Sequence, residues 1–88
     1  MPNAITYNAL ISTCEKGGQP ERALLVCEAM VKQGVLPTSV TYSALISACE
    51  KGKQPERALK VFEAMKQQSV VPDATTYNAL ISACEKGN

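Results

Sequence analysis

Apolar residues recur with a helical period near the start of the chain. If each residue is turned by 100°, Tyr7, Leu10, Ile11 and Cys14 fall in a wedge roughly 100° wide. Polar residues occupy the opposite side: Asn8, Ser12, Glu15 and Lys16. The pattern predicts a one-sided helix over residues 5–16, which the pair Gly17-Gly18 ends.

The next segment predicts a second helix of the same kind. Pro20 stands in its first turn, where a missing N–H costs nothing, and Glu21 lies near the positive end of the helix dipole. Its apolar face consists of Ala23, Leu24, Val26, Cys27 and Met30. Gly34 is placed to stop this helix, and residues 55–68 predict an equivalent helix later in the chain.

These segments are copies of one unit of 35 residues. Residues 5–39 and 40–74 are identical at 23 of 35 positions, and residues 75–88 match 40–53 at 11 of 14. Self-similarity at such a period is typical of stacked repeat architectures. The sequence therefore divides into a lead-in (1–4), two repeats (5–39 and 40–74) and the first helix of a third (75–88).

The segments between repeats, residues 35–37 and 70–72, are short apolar stretches that end in proline. Such a stretch has nothing to pair with as a strand, so we expect it to tuck two apolar side chains under the turn. Two antiparallel helices per unit, stacked in series, predict an all-α fold: an α-solenoid of antiparallel helical hairpins with about two and a half repeats.

Composition restricts the class of protein. The 88 residues are 45% hydrophobic, and 9 basic against 8 acidic residues leave a net charge of +1. This balance gives no electrostatic indication of nucleic-acid binding. No stretch approaches the roughly 20 apolar residues of a membrane span. The first residues lack the basic start and apolar stretch of a secretory signal, so we expect no membrane association.

The four cysteines do not have the spacing of a metal or disulfide site. Cys14, Cys49 and Cys84 are one position seen in three copies, and Cys27 is replaced by Phe62 in the next repeat. Equivalent positions a whole repeat apart suit neither a tetrahedral metal nor a disulfide. We expect buried free thiols and hence an intracellular, reducing compartment.

Catalytic chemistry has no candidate group. The chain has no histidine and no Gly-rich phosphate loop, and its recurrent glutamates stand beside lysines as in a solvated helix end. A cysteine on the core face without a base is not an activated nucleophile. The sequence predicts neither an enzyme nor a cofactor.

A stripe along the first helix faces away from the core. Ile5, Asn8, Ser12 and Lys16 are spaced 3, 4 and 4 residues apart, and the stripe recurs 35 residues later as Val40, Ser43, Ser47 and Lys51. An apolar contact, a hydrogen-bonding group and a cation in every repeat match the base face, base edge and phosphate of a single-stranded nucleotide. An ordinary polar helix face is the alternative that spacing alone leaves open.

Several motifs resemble one repeat family. They are the 35-residue period, Thr-Tyr-Asn-Ala-Leu-Ile-Ser in the first helix, Pro-Glu-Arg-Ala-Leu in the second, Glu-Ala-Met before its end and the link Val-Val-Pro-Asp. Together they resemble the pentatricopeptide repeat family over essentially the whole chain. The related tetratricopeptide repeat has a period of 34 and a Trp/Leu/Gly pattern that is absent here.

The resemblance implies a right-handed superhelix whose first helices line a concave surface that binds single-stranded RNA at one base per repeat. It assigns the base sandwich to Ile5, Val40 and Thr75. It assigns base-edge recognition to Asn8, Ser43 and Asn78, together with Thr38 and Asp73 at the repeat ends. It assigns phosphate contacts to Lys16, Lys51 and Lys86. Mitochondria or chloroplasts are the compartments implied.

The same resemblance implies base preferences. Ser43 with Asp73 resembles a guanine-preferring pair, Asn8 with Thr38 a weaker pyrimidine-preferring pair, and Asn78 leans to pyrimidine. Thr75 and Thr38 depart from the family pattern, so only the central site is complete. Because base stacking contributes about 1–3 kcal/mol per base, two or three sites predict weak or undetectable binding by this chain alone.

Two other functions remain open at this point. Helical-hairpin solenoids also bind peptides in the same groove, so a protein-interaction module is one alternative. Self-association is the other, because residues 75–86 carry apolar side chains with no second helix to cover them: Tyr77, Leu80, Ile81 and Cys84.

Overall fold

Five α-helices make up the fold in the computed structural model, which describes residues 3–86 and the side chains of residues 3–85. Each has 13 residues: α1 (Ala4–Lys16), α2 (Pro20–Lys32), α3 (Ser39–Lys51), α4 (Pro55–Gln67) and α5 (Ala74–Lys86). There is no strand across residues 3–86. The prediction of an all-α solenoid of helical hairpins is confirmed.

The helix ends follow from local sequence. Asn3 caps α1 by accepting from the backbone N–H of Thr6 at 3.1 Å, and Asp73 caps α5 by accepting from that of Thr76 at 2.9 Å. Gly34, just after α2, adopts a φ of +78°, a left-handed conformation that glycine reaches without strain. Proline is the first residue of both second helices, α2 and α4.

The first helices of the repeats pack side by side in one layer. α1 contacts α3 and α3 contacts α5, whereas the Cα atoms of α2 and α4 stay more than 8 Å apart along their described lengths. Because the first helices lie closer to one another than the second helices do, the stack curves with α1, α3 and α5 on its inner side.

Equivalent positions reveal which neighbour buries each side chain. Tyr7 and Tyr42 lie on helices that have the second helix of their own hairpin beside them, and both are buried, while Tyr77 on α5 is 48% exposed. Leu10 is 48% exposed but Leu45 is only 2% exposed, because α3 has a preceding hairpin against it. Burial of the tyrosine therefore depends on the second helix of its own hairpin, and burial of the leucine depends on the preceding hairpin.

Two expectations about apolar side chains need correction. Val35 and Val70 are half-buried, but Leu36 and Val71 are exposed, so each inter-repeat segment tucks in one side chain and not two. Leu36 and Val71 precede a proline, which favours an extended backbone, and consecutive side chains of an extended segment point to opposite sides. All four cysteines are free thiols as predicted, yet only Cys49 is buried, because it lies on α3, the helix that packs between α1 and α5 and also against α2 and α4.

A transmembrane helix needs about 20 apolar residues, and each helix here has 13. None of the five in residues 3–86 is long and apolar enough to cross a bilayer.

Candidate nucleic-acid interface

A groove of about 280 Å³ runs along the inner side of the stack. Side chains from α1, α3, the second inter-repeat segment and α5 line it: Ser12, Glu15, Val40, Ser43, Ala44, Ser47, Asp73 and Thr75. Four of the residues predicted to contact a base, Val40, Ser43, Asp73 and Thr75, therefore meet in one groove although they come from two repeats.

The residues predicted to sandwich bases are exposed in the first turn of each inner helix. Ile5 is 79% exposed and Val40 is 66% exposed, and Thr75 is exposed on α5. An aliphatic side chain held out from a helix presents a flat apolar surface against which a base can lie. Thr75 offers a smaller apolar surface, its methyl group, beside a hydroxyl.

Ser43 is tied to the next repeat by a chain of hydrogen bonds. Its Oγ lies 2.7 Å from Oγ1 of Thr76, and Thr76 Oγ1 donates to Oδ1 of Asp73 at 3.0 Å. The backbone N–H of Thr76 donates to the same carboxylate oxygen. These two bonds from Thr76, the backbone bond being the larger cause, lower the pKa of Asp73, so its carboxylate is ionised at neutral pH.

The direction of each hydrogen bond follows from the number of protons. An ionised carboxylate only accepts, so the single hydroxyl proton of Thr76 goes to Asp73. Ser43 must then donate its own proton to Thr76, which leaves only lone pairs on Ser43 Oγ. With the second oxygen of Asp73, the pair Ser43 and Asp73 offers two hydrogen-bond acceptors, and neither side chain of the pair offers a donor.

The first site, formed by Asn8 and Thr38, presents a hydrogen-bond donor where the central site presents acceptors. Thr41 Oγ1 donates to Oδ1 of Asn8 at 2.6 Å, and it accepts from the backbone N–H of Thr38 at 3.1 Å. Since the carbonyl oxygen of the Asn8 amide is engaged, the NH₂ group remains to face a ligand. Asn8 therefore presents a donor where Ser43 presents an acceptor.

Asn78 holds the same position on α5 but is exposed, while Ser43 is buried and Asn8 is half-buried. The difference arises because α3 places Thr41 against Asn8, and α5 places Thr76 against Ser43. Within residues 3–85, no following helix places such a threonine against Asn78.

The predicted phosphate contacts stand at the carboxyl ends of the inner helices. Lys51 Nζ lies 2.5 Å from Oε2 of Glu15 in the preceding repeat, and this hydrogen bond raises the pKa of Lys51. Lys16 is exposed, and within the described side chains it forms no ion pair. The side chain of Lys86 lies outside the described residues.

Comparison with known families agrees with this architecture. A sequence model of the PPR repeat family matches residues 2–51 and 44–86, two overlapping segments that together span nearly the whole chain. The chain belongs to the PPR repeat family. No curated protein matches the chain as a relative.

As a PPR protein, the chain shares the helical repeat that the family uses to bind RNA. Its inner helices carry the predicted base-contacting residues along one side of the stack. The groove between α3 and α5 contains more of these residues than any other pocket described along residues 3–85.

Sequence reasoning missed two groups in this PPR interface. Thr41 and Thr76 are completely buried and bond to Asn8 and Ser43, the residues predicted to read a base edge, and Glu15 pairs with Lys51 across repeats. The threonines had a visible signal, since Thr6, Thr41 and Thr76 are one identical position in three copies. The pairing of Glu15 had none, because it joins residues 36 positions apart.

Proposed function

We propose that this chain binds single-stranded RNA along its inner groove, with one base lying at each repeat. The observation that carries the proposal is the central site, where two side-chain acceptors, Ser43 Oγ and Asp73, lie in one groove beside the exposed side chain of Val40. The apolar side chain offers a stacking surface, and the acceptors offer recognition of a base edge.

Guanine is the base whose edge best fits two acceptors. Its N1–H and N2–H₂ groups are adjacent donors on the Watson–Crick edge, whereas adenine and cytosine pair one donor with one acceptor and uracil has a single N–H. Asn8, which presents an NH₂ donor, fits the carbonyl oxygens of a pyrimidine. The proposed target of the first two sites is therefore a pyrimidine beside a guanine.

Binding by the chain alone is expected to be weak. Stacking on an aromatic side chain contributes about 1–3 kcal/mol per base, and an aliphatic side chain contributes no more. The chain has three inner helices and a net charge of +1, so the stacking free energies of at most three bases add up to dissociation constants near the millimolar range. A method that detects weak binding is needed.

The direct test is an NMR titration of the ¹⁵N-labelled chain with short RNA at low salt. A uridine-guanosine-uridine trinucleotide reads the same in both directions, so the polarity of the strand need not be known. We expect shifts at Val40, Ser43 and Asp73 that are larger than those with uridine-adenosine-uridine. Equal, diffuse shifts with both oligonucleotides would contradict base recognition.

A switch of preference tests the assignment of the acceptors. Asp73→Asn keeps the oxygen that caps α5 but replaces the second acceptor with an NH₂ donor. We expect the preference to move from guanine to a base with one donor and one acceptor, adenine or cytosine. A variant that still prefers guanine would show that Asp73 does not read the base.

Longer arrays test whether binding scales with repeat number. Further copies of residues 5–74 inserted after Asp73-Ala74 should raise the affinity for alternating uridine-guanosine RNA with every copy, by fluorescence anisotropy. This binding should weaken as salt rises, because phosphate contacts release counterions. Absence of binding to matched RNA at low salt by such an array would refute the proposed function, and peptide binding in the groove would then be the alternative.

Self-association is a second candidate function, favoured by the open face of α5. Tyr77 and Ile81 are about half exposed there, although their equivalents in α1 and α3 are buried. We propose that this face pairs with a second copy at high concentration. Sedimentation equilibrium should show reversible dimers that Ile81→Lys abolishes, while Leu36→Lys, at an exposed linker position, leaves them intact. A strictly monomeric wild-type chain at millimolar concentration contradicts this candidate.

A further inference from the structure

Thr41 and Thr76 are buried polar residues at the boundary between repeats, and the base contacts implied by the family resemblance do not include them. Each has no exposed surface, and each bonds to the base-edge residue of the preceding repeat, 33 positions earlier. Buried hydroxyl groups must have hydrogen-bond partners, so the identity of those partners constrains the direction of every bond they make.

We propose that Thr41 and Thr76 are positioning residues that set the hydrogen-bonding polarity of the base-edge residue in the preceding repeat. This inference rests on the proposed function, RNA recognition at Asn8 and Ser43. It means that the base preferred by one repeat depends on the first turn of the next repeat.

Each threonine links the end of one repeat to the base-edge residue through two hydrogen bonds of its hydroxyl, an arrangement that we call the relay. The hydrogen bond between threonine and base-edge residue has opposite directions at the two sites. At the central site, Asp73 takes the proton of Thr76, so Thr76 accepts from Ser43 and Ser43 is left as an acceptor. At the first site, Thr38 presents its backbone N–H to Thr41, so Thr41 keeps its proton for Asn8, whose NH₂ group is left as a donor.

The residue next to the end of a repeat consequently acts on the base in two ways. Asp73 contributes an oxygen of its own to the groove, and it also determines the state of Ser43 through Thr76. Thr38 contributes no carboxylate. Because its backbone N–H donates to Thr41, Thr41 donates to Asn8. The two positions of a recognition pair are thus coupled through a third residue that need not touch the RNA.

Thr6 supplies a matched control. It occupies the same position in the first repeat and bonds to the cap of its own helix through Asn3, as Thr76 does through Asp73. Thr6 is exposed, and its hydrogen bonds in the described part of the chain reach no base-edge residue. Thr6→Val therefore removes a cap hydroxyl without removing a relay.

The test compares Thr76→Val, Thr76→Ser and Thr6→Val in the full chain, with NMR as the readout without RNA. Valine keeps the shape but removes the hydroxyl. We expect the pKa of Asp73 to rise toward its ordinary value in Thr76→Val and the Hα–Hβ couplings of Ser43 to average over rotamers. Thr76→Ser should restore the wild-type values of both, and Thr6→Val should not alter them.

The second readout is base preference, from titrations with the uridine-guanosine-uridine and uridine-adenosine-uridine trinucleotides. In Thr76→Val the guanine preference should fall roughly fivefold or more, because Ser43 is free to donate as well as accept. Thr76→Ser should retain the preference. Unchanged preference together with unchanged Ser43 couplings in Thr76→Val would overturn the relay.

The outcomes separate this inference from the proposed function. If the wild-type chain and its longer arrays bind no RNA, the proposed function fails, and the Asp73 pKa and Ser43 couplings still decide whether the relay exists. If Thr76→Val does not fold, Thr41→Val tests the first site, where the side-chain NH₂ signals of Asn8 should shift and pyrimidine preference should fall. Rotamer averaging of Ser43 in the wild-type chain overturns the relay without any variant.

Discussion

Lys51 Nζ lies 2.5 Å from Oε2 of Glu15, so a lysine predicted to contact phosphate is paired with a carboxylate of the preceding repeat. Both groups are partly exposed, which makes this a weak ion pair that a phosphate can displace. Of the two, Glu15 lines the groove, with Ser12 and Ser47, so its carboxylate places a negative charge on the groove wall.

Glu15→Gln should therefore strengthen RNA binding. The change frees Lys51 and removes a charge that repels phosphate. If Lys51 then makes one more phosphate contact, the slope of log affinity against log salt should steepen by about 0.7. NMR titrations at several salt concentrations measure this slope.

Glu63→Gln on α4 is the matched control, since it changes the net charge equally at an exposed position outside the groove. An equal gain in both variants would assign the effect to overall charge and contradict a specific role for Glu15.

The stacking of the two hairpins requires a glycine at position 52. A Cβ added to Gly52 would lie 2.8 Å from Cδ of Pro20 and 3.2 Å from the carbonyl oxygen of Gly18, both in the preceding repeat. Gly52→Ala should lower the free energy of unfolding by about 1–3 kcal/mol, as overpacking of a tight interface does. Urea denaturation followed by circular dichroism measures the change.

Gly17→Ala provides the comparison for this variant. Gly17 is the equivalent C-cap residue, and its added Cβ would meet nothing closer than 3.7 Å. We expect a change within about 0.5 kcal/mol. Equal losses in the two variants would mean that the helix end, and not the contact with Pro20, is responsible.

Ser69 adopts a strained backbone conformation that glycine would relieve. Its φ is +61°, while Gly34, the equivalent residue after α2, has a φ of +78°. Ser69→Gly should stabilise the chain by about 0.5–1 kcal/mol, because the left-handed conformation is costly for a residue with a Cβ and the entropy of glycine in the unfolded chain offsets part of the gain.

The reciprocal change, Gly34→Ser, tests whether the backbone conformation is the cause of the difference in stability. A Cβ on Gly34 would meet nothing within 4 Å, so Gly34→Ser tests backbone conformation without a steric clash. Thermal unfolding should show a destabilisation of similar size. Destabilisation by Ser69→Gly would instead indicate that the serine side chain makes a stabilising contact.

Cys49 should be the least reactive thiol in the folded chain. Burial raises its pKa from 9.0 to about 11, and it has no exposed surface, whereas Cys14 and Cys84 at the equivalent positions are half-buried. Alkylation by iodoacetamide at pH 8, followed by mass spectrometry, should label Cys49 last. In denaturant all four cysteines should react at similar rates, and early labelling of Cys49 without denaturant would contradict its burial.

The same shift predicts a dependence of stability on pH. Because the folded-state pKa of Cys49 is raised, the contribution of its neutral thiol to the free energy of unfolding is complete below pH 9 and is lost as the pH rises toward 11. Cys49→Ala should reduce this alkaline loss of stability, in unfolding curves recorded across that range. A loss of the same size in both proteins would assign it to other groups.

Much of the fold could be predicted from the sequence. The apolar period placed the first helix at residues 5–16, and α1 is Ala4–Lys16; Gly34 and the two prolines marked ends of α2 and α4. These features depend on residues a few positions apart, where the geometry of the helix itself relates one side chain to the next. The stripe that carries Ile5, Asn8, Val40 and Ser43 was visible for the same reason, but its prediction as a surface that faces away from the core is wrong for Ser43, which is buried, and Asn8 is half-buried.

Burial and hydrogen-bond polarity could not be predicted in this way. Leu10 and Leu45 both lie in the sequence Ala-Leu-Ile-Ser, yet only Leu45 is buried, because α3 has a hairpin before it and α1 has none among the described residues. Likewise, Lys51 is paired because α1 brings Glu15 beside it.

The sequence by itself determined the repeat, the helices and the side of each helix that holds the candidate base contacts. Only the tertiary structure decided that Asn8 presents a donor and Ser43 an acceptor, since the proton positions depend on Thr41 and Thr76 from the next repeat and on Asp73 near the end of the repeat that contains Ser43. In a solenoid each repeat specifies its own helices. The hydrogen-bonding character of its surface depends on its neighbours, because the contacts that determine this character join residues about one repeat apart.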